Sequence, residues 1–168
     1  MKKVLVIGSG GAGKSTFARR LGRRLGLPVI HLDAHFWRPG WVETPRDEWR
    51  RTVEELCARE SWVMDGNFSA TLDVRLKACD TVVFLDVPRA VCVWRALKRL
   101  LMYRNARRPD MAEGCGEKFD PKFLHWVWTF PSRGRPTVLA RLAEFAADRR
   151  VVRLRSDAEV ERFLAEVG

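Results

Sequence analysis

Long apolar runs are missing from this 168-residue chain. No stretch approaches the roughly 18 residues that a membrane-spanning helix needs, so a membrane partner is not expected. Cysteine is scarce: Cys57, Cys79, Cys92 and Cys115 show no C-x-x-C spacing, and the first three stand among apolar residues. That pattern argues against a zinc cluster or a disulfide framework and for buried thiols in a reducing compartment. Repeats, low-complexity tracts and linkers are absent too, so one domain over 1–168 is expected. Acidic residues are outnumbered, 21 against 31 Lys and Arg, leaving a formal charge of +10. The excess would suit nucleic acid, yet no recognition-helix or RNA-binding signature accompanies it. The opening Met1-Lys2-Lys3-Val4-Leu5-Val6-Ile7 has the charge of a secretory leader, but its apolar part is short and runs straight into a glycine loop, so a cytoplasmic protein is expected.

That loop is the most informative segment. Gly8-Ser9-Gly10-Gly11-Ala12-Gly13-Lys14-Ser15 satisfies G-x-x-x-x-G-K-[ST] at every required position and is followed by Thr16. Four glycines let the backbone curl so that successive N–H groups and a helix N-terminus face negative charge. The pattern predicts ATP with Mg2+: Lys14 for the β and γ phosphates, Ser15 for the metal.

Short apolar runs at Lys3 to Ile7, Pro28 to Leu32, Trp62 to Asp65, Thr81 to Asp86 and Val151 to Leu154 alternate with helical periodicity. With the glycine loop after the first run, this predicts an α/β P-loop fold: a five-stranded parallel sheet flanked by helices on both faces. Thr44-Pro45-Arg46-Asp47 reads as a helix start with Thr44 as the cap, and Ser156-Asp157-Ala158-Glu159 as a capping box. Between about 102 and 121 periodicity fades among Arg104, Asn105, Arg107, Arg108, Pro109, Gly114 and Gly116, which predicts a small Arg-rich lid; a plain surface loop is the alternative. His125, Trp126 and Trp128 are expected to pack a helix after it.

Asp33, Asp65 and Asp86 fall at C-terminal ends of predicted parallel strands, the edge where open α/β sheets bind ligands. Carboxylates there can hold magnesium or its waters, or take a proton from an attacking hydroxyl, and an isolated one is also a common turn former. His31, Asp33 and His35 alternate as a metal cluster would, but zinc needs a further ligand. Phe36, Trp37 and Trp41 follow Asp33 directly and read either as an acceptor pocket or as core. Arg75, on the helix after Phe68, reads as a solvated helix residue or as a phosphate ligand.

With Val63-Met64-Asp65-Gly66 and Phe84-Leu85-Asp86-Val87-Pro88 ahead of Arg95 and Arg99, the chain resembles the adenylate kinase group of nucleoside monophosphate kinases. The resemblance implies a three-layer P-loop domain with its five parallel strands in order 2-3-1-4-5. It implies also that Asp65 orients magnesium through water, that Arg95 stacks on adenine and that Arg99 contacts the transferring phosphates. It is similar also to bacterial topology modulation proteins, an adenylate-kinase-like group named for a proposed effect on DNA supercoiling. Here the marks are the glycine loop, the run from His31 to Trp41, Asp65-Gly66-Asn67-Phe68-Ser69 and Arg108-Pro109-Asp110-Met111-Ala112. Asn67-Phe68-Ser69 stands where adenylate kinases carry Phe-Pro-Arg, which argues against AMP as acceptor. Asp33 resembles the acceptor-binding carboxylate of shikimate and gluconate kinases.

The expectation is therefore an ATP- and Mg-dependent phosphotransferase acting on an unidentified small-molecule acceptor, as monomer or homodimer. Lys14, Asp33, Arg99, Arg104 and Arg108 would be catalytic; Gly8 to Thr16, Arg95 and Arg155 would hold nucleotide; Ser15, Asp65 and Asp86 would serve the metal. A nucleic-acid-associated ATPase and a nucleotide-binding sensor without catalysis are the alternatives.

Overall fold

In the computed structural model of the chain, residues 1–103, 110–146 and 148–167 are described. Arg104, Arg107 and Arg108 lie outside them.

Five parallel strands form the central sheet: β1 (Lys3–Gly8), β2 (Val29–His31), β5 (Trp62–Asp65), β6 (Thr81–Leu85) and β7 (Arg150–Leu154). They stand in the order β2-β5-β1-β6-β7, which is 2-3-1-4-5 once only sheet strands are counted. Alternation along each strand feeds two separate cores. Leu5, Ile7, Trp62, Met64, Val82 and Phe84 face α3 (Arg46–Ala58) and α4 (Leu72–Ala78). Val4, Val6, Val63, Val83 and Leu85 face α1 (Lys14–Leu25) and α7 (Asp157–Glu166). Strands buried on both faces have to be apolar throughout, which is why these runs are continuous.

The second strand ends one residue earlier than expected. Leu32–Phe36 is a short helix, α2, so the alternation that would align His31, Asp33 and His35 stops at His31. After it, β3 (Trp37–Arg38) and β4 (Val42–Glu43) pair antiparallel in a small hairpin absent from the sequence reading. Its signal was Pro39-Gly40 between strand formers. Thr44 is not the α3 cap: Pro45 holds that position, and the Thr44 hydroxyl donates to the Phe36 carbonyl at 2.5 Å, closing the hairpin base.

The capping box at α7 forms, with Ser156 Oγ accepting from Glu159 N at 3.3 Å, while the Glu159 carboxylate reaches back to Arg155 N rather than Ser156. α5 (Arg89–Met102) precedes the supposed lid and α6 (Pro121–Phe145) follows it. On α6 the buried side chains are Val127, Phe130, Val138 and Leu142; Trp126 and Trp128 are exposed, contrary to expectation. All four cysteines are free and buried, and burial pushes the thiols of Cys57 and Cys79 up to about 11 and about 12. Among the described residues no helix is long and apolar enough to cross a membrane.

Candidate nucleotide and acceptor site

The glycine loop joins β1 to α1 at the C-terminal edge of the sheet. Gly11 has φ +74° and sits so close to α5 that a Cβ there would lie 2.1 Å from the Cys92 carbonyl oxygen. Gly13, the residue before α1, has φ +93°. Only glycine accommodates the first without displacing α5, and both φ values favour it. The loop is therefore shaped by its own sequence.

Lys14 Nζ donates to the Ser9 carbonyl at 2.9 Å, folding the side chain back over the loop. Burial lowers its pKa, opposed by the charges of Asp33 and Asp65. Ser9 Oγ is buried without a hydrogen-bond partner among the described residues. A turn of left-handed glycines, an ammonium held over it and an unpaired hydroxyl beside it fit an incoming polyphosphate.

One cavity of about 990 Å3 opens from this loop, at the upper end of the ~300–1,000 Å3 typical of ligand pockets. Gly10, Gly11, Gly13, Lys14, Ser15 and Thr16 line one part of it, with Arg95 and Arg99. Asp33, Phe36, Trp37, Trp41, Asn67 and Phe68 line another. Residues expected to serve nucleotide and acceptor thus share a single space.

Arg95 lies beside the loop and pairs through Nη2 with both oxygens of Asp157 at 2.7 Å, tying α5 to the start of α7. Arg99, one turn on, pairs with Glu117 at 3.0 Å and stands over the Phe123 ring. Phe123 itself packs on Gly10, where a Cβ would meet its ring at 2.6 Å. This contact from α6, and Glu117 as the partner of Arg99, were not foreseen; no local pattern announces either.

Asp65 is nearly buried, and its Oδ1 lies 2.7 Å from His31 Nδ1. His31 and Asp65 are register partners on adjacent parallel strands, so their side chains leave the sheet on the same face, that of α1. Burial opposes a charged imidazole, but the hydrogen bond and charge of Asp65, helped by Asp110, outweigh it and raise the His31 pKa. A raised folded-state pKa stabilises the protein fully below the unfolded value of about 6.5 and loses that contribution as pH rises through the folded value. The stability difference between wild type and His31→Gln is therefore expected to be largest near pH 5–6 and to shrink at higher pH. Urea unfolding at several pH values reads it, and a difference that grows with pH would refute the pair.

Asp86 behaves otherwise than expected for a metal residue. Its Oδ2 accepts from Arg153 Nε at 2.8 Å and Arg135 lies 3.5 Å away, and it does not line the cavity. Two guanidiniums already satisfy this carboxylate, so we leave it out of the metal set. Arg155 lies outside the cavity lining as well, and its backbone N–H is spent on Glu159. Among the described residues no group of three or more His, Cys, Asp or Glu is placed to hold a metal ion by itself. Ser15 lines the cavity; Asp65 does not, and its Oδ1 is taken by His31, so toward magnesium Ser15 is the direct donor and Asp65 one that acts only through water, beside phosphate oxygens.

Arg75 is the largest departure from the sequence reading. It is neither solvated nor in the cavity: the guanidinium is wholly buried and donates to the carbonyls of Gly66 at 2.9 Å, Thr71 at 3.3 Å and Phe68. Burial lowers its pKa to about 10, so it stays charged near neutrality. It pins the 66–71 loop, which presents Asn67, Phe68 and Ser69 to the cavity.

Phe36, Trp37 and Trp41 all line the cavity, and of the three Phe36 also packs against the core. Phe36 touches Trp37, Trp49 and Phe68 with ring centroids 4.8, 5.1 and 4.6 Å apart. The hairpin meets the 110–120 segment: Trp41 Nε1 donates to Gly116 O at 3.1 Å and Gly40 N to Gly114 O at 3.2 Å.

Neither a protein-family model nor a curated protein sequence matches the chain. Among solved structures, it is similar to the shikimate kinase from Acinetobacter baumannii in complex with shikimate, at 18% identity and a TM-score of 0.61, over 99% of this chain and 90% of that one. It is similar also to the shikimate kinase from Bacteroides thetaiotaomicron, again at 18% identity, with a TM-score of 0.53 over 98% and 94%. The likeness is one of fold: a five-stranded parallel sheet flanked by helices.

Proposed function

We propose that the chain is an ATP- and Mg-dependent phosphotransferase that moves the terminal phosphoryl group to a small-molecule acceptor. The observation that carries the reading is the single cavity joining Lys14 and the glycine loop to Asp33 and the aromatic wall. Phosphoryl transfer needs positioned phosphates, neutralised charge and an acceptor held in line, with little covalent work for the protein. Lys14 and the loop amides bind the phosphates, Arg99 neutralises their oxygens once it leaves Glu117, and Arg95 offers a flat cation for a base. Magnesium, when bound, neutralises phosphate charge and would be held by Ser15 and, through water, Asp65. His31 keeps Asp65 oriented. Asp33 accepts the hydrogen bond of the acceptor hydroxyl and receives its proton. The 110–120 segment and the hairpin cover the cavity and keep water from competing.

Shikimate as the ligand of a fold relative agrees with a small hydroxylated acceptor. Asp33→Asn removes the proton acceptor but keeps the shape. With an acceptor in hand, kcat is expected to fall by about 100-fold or more while ATP affinity holds. Full turnover in that variant would remove Asp33 from the mechanism.

A further inference from the structure

Two donor atoms in the cavity wall have no partner among the described residues. Arg19 lines the cavity, and its Nη1 is buried with no hydrogen-bond acceptor among the described residues. Trp49 lines it too, is 3% exposed, and its indole Nε1 is buried and unpaired in the same sense. Both are donors only. Buried donors in native proteins are almost always satisfied, and an unsatisfied charged one costs most. Trp62 Nε1 and Arg149 Nε are unpaired too among the described residues but lie outside the lining, whereas Arg19 and Trp49 line the cavity, where ligand oxygens can reach them.

Arg19 is not placed for the nucleotide phosphates. It follows Ser15 by one helical turn on the same face of α1, about 6 Å further from the loop. Its charge is felt by His31 at the end of β2, on the side of the sheet that leads to α2 and Asp33. Of the acidic groups in the lining, Glu117 holds Arg99 and Asp120 accepts from Lys122 N at 2.9 Å as the cap of α6, while Asp33, Glu43 and Asp110 line it as well. Arg46, in the first turn of α3, adds a further cation to the lining.

We infer that the acceptor is an anion with a flat, apolar body: its carboxylate or phosphate oxygens lie on Arg19, with Trp49 supplying a neutral donor, and its body rests on Phe36, Trp37 and Phe68. This rests on the kinase reading and names the acceptor class for the same site. A guanidinium fork suits either anion, and aromatic walls reward a ring.

The test uses the whole chain saturated with Mg2+ and a non-hydrolysable ATP analogue, so that the glycine loop is filled. Phenyl phosphate, inorganic phosphate, benzoate and benzyl alcohol are titrated by calorimetry into wild type, Arg19→Gln and Arg19→Lys, whose analogue affinities and melting temperatures serve as controls for fold. Phenyl phosphate or benzoate is expected to bind wild type, and which of them binds identifies the anion. Inorganic phosphate should bind more weakly and benzyl alcohol not measurably. Arg19→Gln should weaken the ring anion by at least about tenfold and Arg19→Lys by less. Equal binding in Arg19→Gln, benzyl alcohol binding as tightly as the anions, or no ring anion binding at all would overturn the inference while leaving the kinase reading in place. A wild-type chain that binds no analogue would remove both.

Discussion

Lys14→Ala is expected to lower phosphoryl transfer by at least about a thousandfold and to leave the fold intact. The ammonium is the one cation built into the loop, and its pKa is already lowered by burial, so the protein holds its charge at a cost. Removing it relieves that cost and forfeits one hydrogen bond to Ser9 O. Melting temperature and circular dichroism should therefore stay near wild type while ADP release falls to background. Retained turnover would contradict the assignment of the loop as the phosphate site.

The second large effect concerns stability. Arg75→Leu withdraws the buried guanidinium from the Gly66 and Phe68 carbonyls and leaves Gly66 O without the donor that holds it. Leucine regains the desolvation cost of the charge, and Phe68 O keeps Thr71 N at 3.3 Å, but an orphaned buried carbonyl at Gly66 costs about 1–3 kcal/mol, and the net loss is expected to be about 1–3 kcal/mol. For a domain of this size that corresponds to a fall of roughly 2–10 °C in melting temperature. Arg75→Lys, which keeps the charge but reaches fewer carbonyls, should fall between. Differential scanning calorimetry on the three proteins decides it; a leucine variant as stable as wild type would mean that the loop holds itself.

These two residues also mark how far the sequence could be read. The glycine loop and the strands themselves were legible because their causes are local: glycines at fixed offsets, and strands apolar throughout because both faces are covered; the strand order came with the family resemblance. Arg75 was misread although a signal was present. Leu72, Arg75, Leu76 and Cys79 fall at i, i+3, i+4 and i+7, which puts the arginine inside the apolar stripe of α4. A charge in such a stripe must find partners, and those partners lie in the loop before the helix. Asp86 was misjudged for the opposite reason. Its place at a strand end is local, but the Arg153 and Arg135 that occupy it come from β7 and α6, far along the chain. The break at Leu32, which turned His31, Asp33 and His35 from a row into separate neighbours, likewise has no cap residue or proline to announce it. Arg19 and Trp49 could not be singled out from sequence, because an unpaired donor is visible only once its surroundings are known.

The most direct test of the account is ADP release from Mg-ATP by the purified chain, with pooled acceptors (nucleosides, nucleotides, sugars, hydroxy acids and cofactor precursors) and with duplex DNA as a separate pool. The account predicts that one small-molecule pool raises the rate well above basal hydrolysis and that Lys14→Ala abolishes the rise. Stimulation by DNA alone would contradict it and transfer the cavity to an ATPase that works on nucleic acid.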